Sequence, residues 1–273
     1  MIYQVLGRER TGTTRLLQWA NYLNKKHPLH DNIIQINHMH FLPEGPVLGP
    51  VGNEPLPGIT AKGDGKYTKN LLINNKIPLN IIERLKFFKE QQKKNIHFVS
   101  KWHPINLVDL NLWIPNSKVL SEYLEYSKEY HILITSRNLW DSYISLEFKV
   151  QTNHKFERRL WDGKFSGLRE GKHEEQIPDF KLDISKEKIN RYLFYTVQAI
   201  EVEKQIKENL TYTTYTFEDI LTLKRHHQQQ GTIPLNIDYE KYIDNFHYYK
   251  SYFKMHEHDL LLQWKTKKLD SKK

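Results

Sequence analysis

Near the start of the chain stands Gly7-Arg8-Glu9-Arg10-Thr11-Gly12-Thr13-Thr14, directly after the apolar run Ile2-Tyr3-Gln4-Val5-Leu6. Two glycines separated by four residues, with hydroxyl side chains behind the second, match the spacing of a nucleotide-binding P-loop, GxxxxGK[ST]. In that loop backbone N–H groups cradle a phosphate and a lysine reaches its outer oxygens. Here Thr13 occupies the lysine position. A turn of this kind can still bind an anion on main-chain N–H groups and on the positive end of the helix that follows. Thr11, Gly12, Thr13 and Thr14 then supply donors, and Arg8 or Arg10 supplies the positive charge. A bare strand-to-helix turn bounded by glycines has the same spacing, so the reading depends on what else meets it.

Two further segments carry side chains of suitable chemistry. Lys101-Trp102-His103-Pro104 closes an apolar run that starts at Ile96. A neutral imidazole, with an unperturbed pKa of about 6.5, can take a proton from a hydroxyl near pH 7. The chain holds 14 histidines, so it is the place of His103, at a strand end two residues after a lysine, that marks it. The other segment is Ile134-Thr135-Ser136-Arg137-Asn138-Leu139-Trp140-Asp141-Ser142-Tyr143-Ile144-Ser145. In it Arg137 offers a planar fork to a phosphate, and Ser145 shares a helix face with Ser142.

Together these residues resemble the sulfotransferases that use 3′-phosphoadenosine 5′-phosphosulfate (PAPS). The phosphosulfate loop of that family reads basic residue, Ser or Thr, Gly, Thr, Thr, and Arg10-Thr11-Gly12-Thr13-Thr14 is similar to it. Its R-N-x-x-D-x-x-x-S segment is similar to Arg137 through Ser145, and its Lys-Thr-His segment to Lys101-Trp102-His103. Tyr215-Thr216-Phe217-Glu218-Asp219-Ile220-Leu221 resembles a late family strand with Tyr-Glu-Asp-Leu. The resemblance implies a P-loop NTPase-like sulfotransferase fold, with PAPS as cofactor, PAP as product and no metal required. It implies His103 as general base, with Lys101 and Arg10 stabilising charge. Cofactor binding falls to Arg8, Arg10, Thr11, Gly12, Thr13 and Thr14, and the 3′-phosphate to Arg137 and Ser145. The chain departs from the family pattern at Glu9, where proline is common, and at Trp102, where threonine stands. It lacks a clear copy of the C-terminal Arg-Lys-Gly segment, for which Lys224-Arg225 with Gly231 is a weak substitute. Tyr192 and Tyr195 are the aromatics considered for adenine stacking.

The elements that must position these groups follow from hydrophobic periodicity. Ile2–Leu6 reads as a strand and Thr13–Lys25 as a helix with Leu16, Leu17, Ala20 and Leu23 on one face. Strands are expected at 32–36, 96–99, 131–135 and 211–216, and helices at 79–92, 119–129 and 186–209, with another starting behind Asn138. Strands alternating with helices predict an α/β fold, a mostly parallel central sheet flanked by helices. In such sheets ligands bind beyond the carboxyl ends of the strands. The turn at 10–14, Lys101 to His103 and Arg137 should therefore meet in one cleft. The Pro- and Gly-rich stretch Leu42 to Gly65 and the basic, aromatic stretch Phe148 to Arg169 are expected to wall an acceptor site. Its occupant would be a small molecule, a glycan or a peptide.

Composition bounds the rest. At 273 residues and 38% hydrophobic content the chain suits one globular domain, 1–273, with a flexible basic tail at about 265–273. The absence of cysteine excludes disulfides, thiolate metal sites and a cysteine nucleophile. Mean hydropathy is −0.70, no run nears the roughly 20 apolar residues of a membrane span, and no leader precedes the loop at residue 7. The expectation is a soluble, cytoplasmic protein. A net charge of +9 welcomes anionic ligands, but no nucleic-acid-binding signature accompanies it. Two other classes share the loop and the charge: a P-loop kinase or NTPase working with Mg²⁺, and a non-catalytic module for polyanions.

Overall fold

The computed structural model describes residues 1–8, 10–36, 81–109, 114–151, 181–223 and 239–270. The chain divides into two compact units, Met1–Ser136 with Gln198–His226, and Arg137–Val197 with His227–Lys273. Its strands, in chain order, are β1 (Ile2–Gly7), β2 (Ile33–Ile36), β3 (His97–Trp102), β4 (Val108–Asp109), β5 (Ile114–Pro115), β6 (Tyr130–Ser136) and β7 (Tyr212–Thr216). The helices are α1 (Thr13–Asn24), α2 (Ile81–Gln92), α3 (Ser117–Ser127), α4 (Leu139–Gln151), α5 (Lys186–Asn209), α6 (Phe217–Thr222) and α7 (Phe246–Asp270).

Among the described residues all the strands belong to the first unit. Five form a sheet in the order β2-β3-β1-β6-β7, and every pairing in it is parallel. The α/β architecture with a parallel central sheet is the one that the alternation of strands and helices predicts. Successive strand residues face opposite sides, and here both sides are covered. Ile2, Leu6, Phe98, Trp102, Ile132 and Ile134 pack with Leu85 and Phe88 of α2, Leu120 and Tyr123 of α3, and Val202 and Ile206 of α5. On the other side Val5 and Leu133 pack with Leu16, Leu17 and Ala20 of α1 and Ile220 of α6. Two covered faces explain why β1 and β6 read as nearly continuous apolar runs.

One buried polar group interrupts β1 and is fully partnered. The Gln4 amide nitrogen donates to the hydroxyls of Tyr123 (3.4 Å) and Ser127 (3.3 Å). Its carbonyl oxygen lies 3.3 Å from the Tyr126 hydroxyl, which also reaches the Phe98 carbonyl. Burial pushes the Tyr123 phenol up to about 12 and Tyr126 well above the usual phenol range, so this knot stays neutral and joins β1, β3 and α3. Asn24, the last residue of α1, clasps β1 by accepting from Tyr3 N–H (2.8 Å) and donating to its carbonyl (2.9 Å).

The second unit contains α4, the N-terminal half of α5, a 3-10 turn at Tyr239–Tyr242 and α7. Aromatic rings hold it together: Tyr143 lies 5.0 Å from Tyr192 and 5.7 Å from Phe253, and Trp140 lies 5.3 Å from Phe253, centroid to centroid. Gln151 at the end of α4 donates to the Asp183 carbonyl (2.9 Å) and accepts from its N–H (2.8 Å).

Element limits differ from the sequence reading in informative places. β3 runs on through Ser100, Lys101 and Trp102 because Trp102, fully buried, continues the inward side of the strand. The two-residue hairpin β4–β5 and the long helix α7 carry no pattern strong enough to have been singled out. The stretch at 42–65, residues 152–169 of the second expected wall, Lys224-Arg225 with Gly231, Glu9, and the start of α2 at Leu79 lie outside the described residues.

Candidate functional site

The order of the sheet gives one strand end a special place. The chain builds β2 and β3 on one side of β1, then β6 and β7 on the other. The loop after β1 therefore sits where the winding reverses, the point at which open parallel sheets leave a crevice beyond their carboxyl ends. Register brings the neighbours level: Leu6 pairs with Trp102, and Gly7 with Thr135.

The turn itself is built from left-handed backbone and buried hydroxyls. Arg10 (φ 62°) and Gly12 (φ 88°) both lie in the left-handed region, which costs little for glycine and more for arginine. Gly12 caps α1, its carbonyl accepting from the N–H groups of Arg15 and Leu16, each at 3.1 Å. The N–H groups of Thr13 and Thr14 precede the first intrahelical donor and so have no acceptor within the helix. Thr11, fully buried, donates its hydroxyl to the Arg8 carbonyl at 2.6 Å and accepts from the Thr135 hydroxyl of β6. Its side chain thus fastens the turn to the sheet. A Cβ on Gly7 would lie 1.8 Å from Thr135 Oγ1 and 2.7 Å from Thr13 Cγ2, so glycine is required there by packing against β6.

Two side chains at the end of β3, Lys101 within it and His103 just after it, reach the turn. Because Trp102 turns into the core against Tyr123 (4.9 Å between centroids), Lys101 and His103 project to the side of α1. Lys101, buried with 6% exposure, places Nζ 3.4 Å from Thr14 Oγ1. His103 Nδ1 lies 2.7 Å from the Gly7 carbonyl. A carbonyl can only accept, so this bond puts the proton on Nδ1 and leaves the lone pair of the neutral ring on Nε2. The His103 main-chain N–H donates to Asn106 Oδ1 at 3.2 Å, which fixes the backbone where the chain leaves β3.

The arginines divide. Arg8 Nε lies 4.0 Å from Glu203 Oε2 of α5, and Glu203 also receives Lys207 Nζ at 2.7 Å. Arg8 thus leans on an acidic group of its own fold. Arg15 donates to the carbonyls of Leu221 and Leu223, both at 2.7 Å, closing the end of α6 onto α1. Arg10 stands in the turn and is partly buried.

Arg137 and Ser145 belong to the second unit. There Asn138 caps α4, its Oδ1 accepting from the N–H groups of Trp140 (2.9 Å) and Asp141 (3.3 Å). Ser145, 3% exposed, and Ser142, 1% exposed, share the buried face of that helix, as their spacing predicts. Tyr192 has its ring against Tyr143 and Phe253, and Tyr195 lies against Phe194.

Within the first unit, the structure brings the 7–14 turn, Lys101 and His103 together. The sequence reading missed Thr135 and the Gly7 carbonyl as parts of the same arrangement. The only signal for either is the parallel register of β1 and β6, which no local motif encodes. Among the described residues, no group of three His, Asp or Glu side chains could hold a metal ion, and no helix is long and apolar enough to cross a membrane. No family model, no curated protein and no solved structure matches the chain.

Proposed function

We propose that the protein is a sulfotransferase that moves a sulfuryl group from PAPS to a hydroxyl or amine of an acceptor. The observation that carries this reading is His103, whose Nδ1 is held 2.7 Å from the Gly7 carbonyl, beside the glycine-bounded turn that opens α1. The donor set suits a phosphosulfate: main-chain N–H groups at the start of α1, the Thr14 hydroxyl and the Lys101 ammonium 3.4 Å from it. PAPS, when bound, supplies the sulfuryl group and a bisphosphate that can leave.

His103 takes the acceptor's proton at Nε2, while Nδ1–H stays on the Gly7 carbonyl and fixes the tautomer. Lys101 and the N–H groups of Thr13 and Thr14 meet developing negative charge with donors already in place, so little reorganisation is needed. Arg10 is assigned to the phosphates of the cofactor. Arg8, leaning on Glu203, acts by holding the turn, and Thr11 acts through its anchorage on Thr135.

One observation also favours a second reading. Lys101 beside Thr14 offers an ammonium and a hydroxyl at one loop, the two groups a P-loop kinase or NTPase takes from a single motif. Calorimetry and thermal unfolding separate the two. The sulfotransferase reading expects PAP to bind and stabilise the protein without Mg²⁺. Stabilisation by ATP with Mg²⁺ but not by PAP would overturn it in favour of the phosphotransferase. Salt-sensitive binding of any polyanion, with no response to either nucleotide, would leave only a binding module.

A further inference from the structure

Strand β7 ends the sheet, and among the described residues no strand pairs with its outer edge. Natural edge strands are usually blunted by charges, prolines, bulges or a covering element. β7 reads Tyr212-Thr213-Thr214-Tyr215-Thr216, with neither charge nor proline, and Tyr212 is 42% exposed. Among the described residues its one strand partner is β6.

The backbone groups at this edge can be assigned. Ile132 N–H donates to the Thr211 carbonyl at 2.9 Å, so the N–H and C=O groups of Thr211, Thr213 and Tyr215 face β6. Those of Tyr212, Thr214 and Thr216 face outward. The fold closes the last of these itself, since Asp219 Oδ2 accepts from Thr216 N–H at 2.8 Å. The open edge thus presents two donors and two acceptors, on Tyr212 and Thr214, placed symmetrically about Thr213.

We propose that a second copy of this chain docks on β7, forming an antiparallel β7–β7 pair with its two-fold axis at Thr213. A two-fold that continues a sheet must run perpendicular to it, which keeps the same face of each copy on the same side. Centred on Thr213, it sets Tyr212 of each copy opposite Thr214 of the other, an exchange of four main-chain hydrogen bonds that uses the outward N–H and C=O groups of both residues. Centring on Thr214 would bring in Thr216, whose N–H is already taken. The side-chain pairs are Tyr with Thr, an aromatic against a β-branched residue, and Thr213 against itself. No like charges are opposed along the strand, so its composition is compatible with self-pairing. The net charge of +9 on each copy opposes association, and added salt therefore strengthens the dimer. This inference is independent of the chemistry proposed above.

The test is the oligomeric state of the full chain, by sedimentation and light scattering across micromolar to submillimolar concentration. The wild type is expected to dimerise with concentration. Thr213→Lys and Thr213→Glu, which place like charges directly opposite each other at the axis, each weaken the dimer by up to about fivefold. An equimolar mixture of the two restores it, which misfolding of either variant could not do. Since the chain has no native cysteine, Thr213→Cys reports the geometry directly: a non-hydrogen-bonded pair brings Cα atoms to about 4.5 Å, within disulfide range. Mild oxidation should then yield a covalent dimer, whereas Glu218→Cys should not. A wild type that stays monomeric throughout, a dimer indifferent to both charged variants, or a mixture that fails to recover it would overturn the proposal.

Discussion

At the scale of single residues the proposed chemistry turns on which nitrogen of His103 carries the proton. The Gly7 carbonyl, 2.7 Å from Nδ1, settles that by accepting, and it leaves Nε2 as the basic atom. His103→Ala should lower turnover with PAPS by about 10²- to 10⁴-fold while leaving PAP affinity close to wild type, because in the proposed mechanism the imidazole takes the acceptor's proton and does not hold the phosphates. Turnover near wild type would remove His103 from the mechanism. His103 was legible in the sequence from its place behind Lys101 at a strand end. Its tautomer was not, since the group that sets it lies 96 positions earlier in the chain.

At the scale of elements, the turn after β1 is held in shape by β6 as much as by its own sequence. Gly7 lies against Thr135, and Thr11 is hydrogen-bonded to the same side chain. Gly7→Ala should therefore destabilise the first unit by about 1–3 kcal/mol through overpacking, read as a lower urea midpoint at unchanged slope. Adding Thr135→Ala removes the obstructing Oγ1 and should return part of the loss, so the two changes are non-additive. Strictly additive costs would show that Gly7 is not limited by β6. The P-loop-like spacing suggested that glycine serves a ligand; the structure gives it a packing reason first.

At the scale of the molecule, stability should depend on pH through histidines at the amino-terminal end of the sheet. Burial lowers the pKa of His97, opposed in part by Glu129 at 3.8 Å. Burial also lowers that of His131, whose Nε2 lies 2.8 Å from Thr213 Oγ1. Both bind protons less readily in the folded than in the unfolded chain, so stability rises with pH. The loss begins as pH falls below the unfolded histidine value of about 6.5 and continues toward the folded values. Unfolding midpoints measured from pH 7.5 to 5.5 should fall for the wild type and fall less for His97→Gln with His131→Gln. Equal slopes would exclude these two groups as the cause.

What the sequence determined by itself was local and periodic. The apolar runs of β1 and β6, the helical face of α1, the cap at Asn138 and the span of α5 all follow from residue type and spacing, because each depends on neighbours a few positions away. The glycine spacing and the Lys101–His103 pair were visible for the same reason. Only the tertiary structure decided that β1 lies between β3 and β6, that Trp102 enters the core so that Lys101 and His103 turn toward α1, and that β7 ends the order of the described strands. Those outcomes depend on strand order and register, which are set by packing two hydrophobic faces across more than a hundred positions of chain.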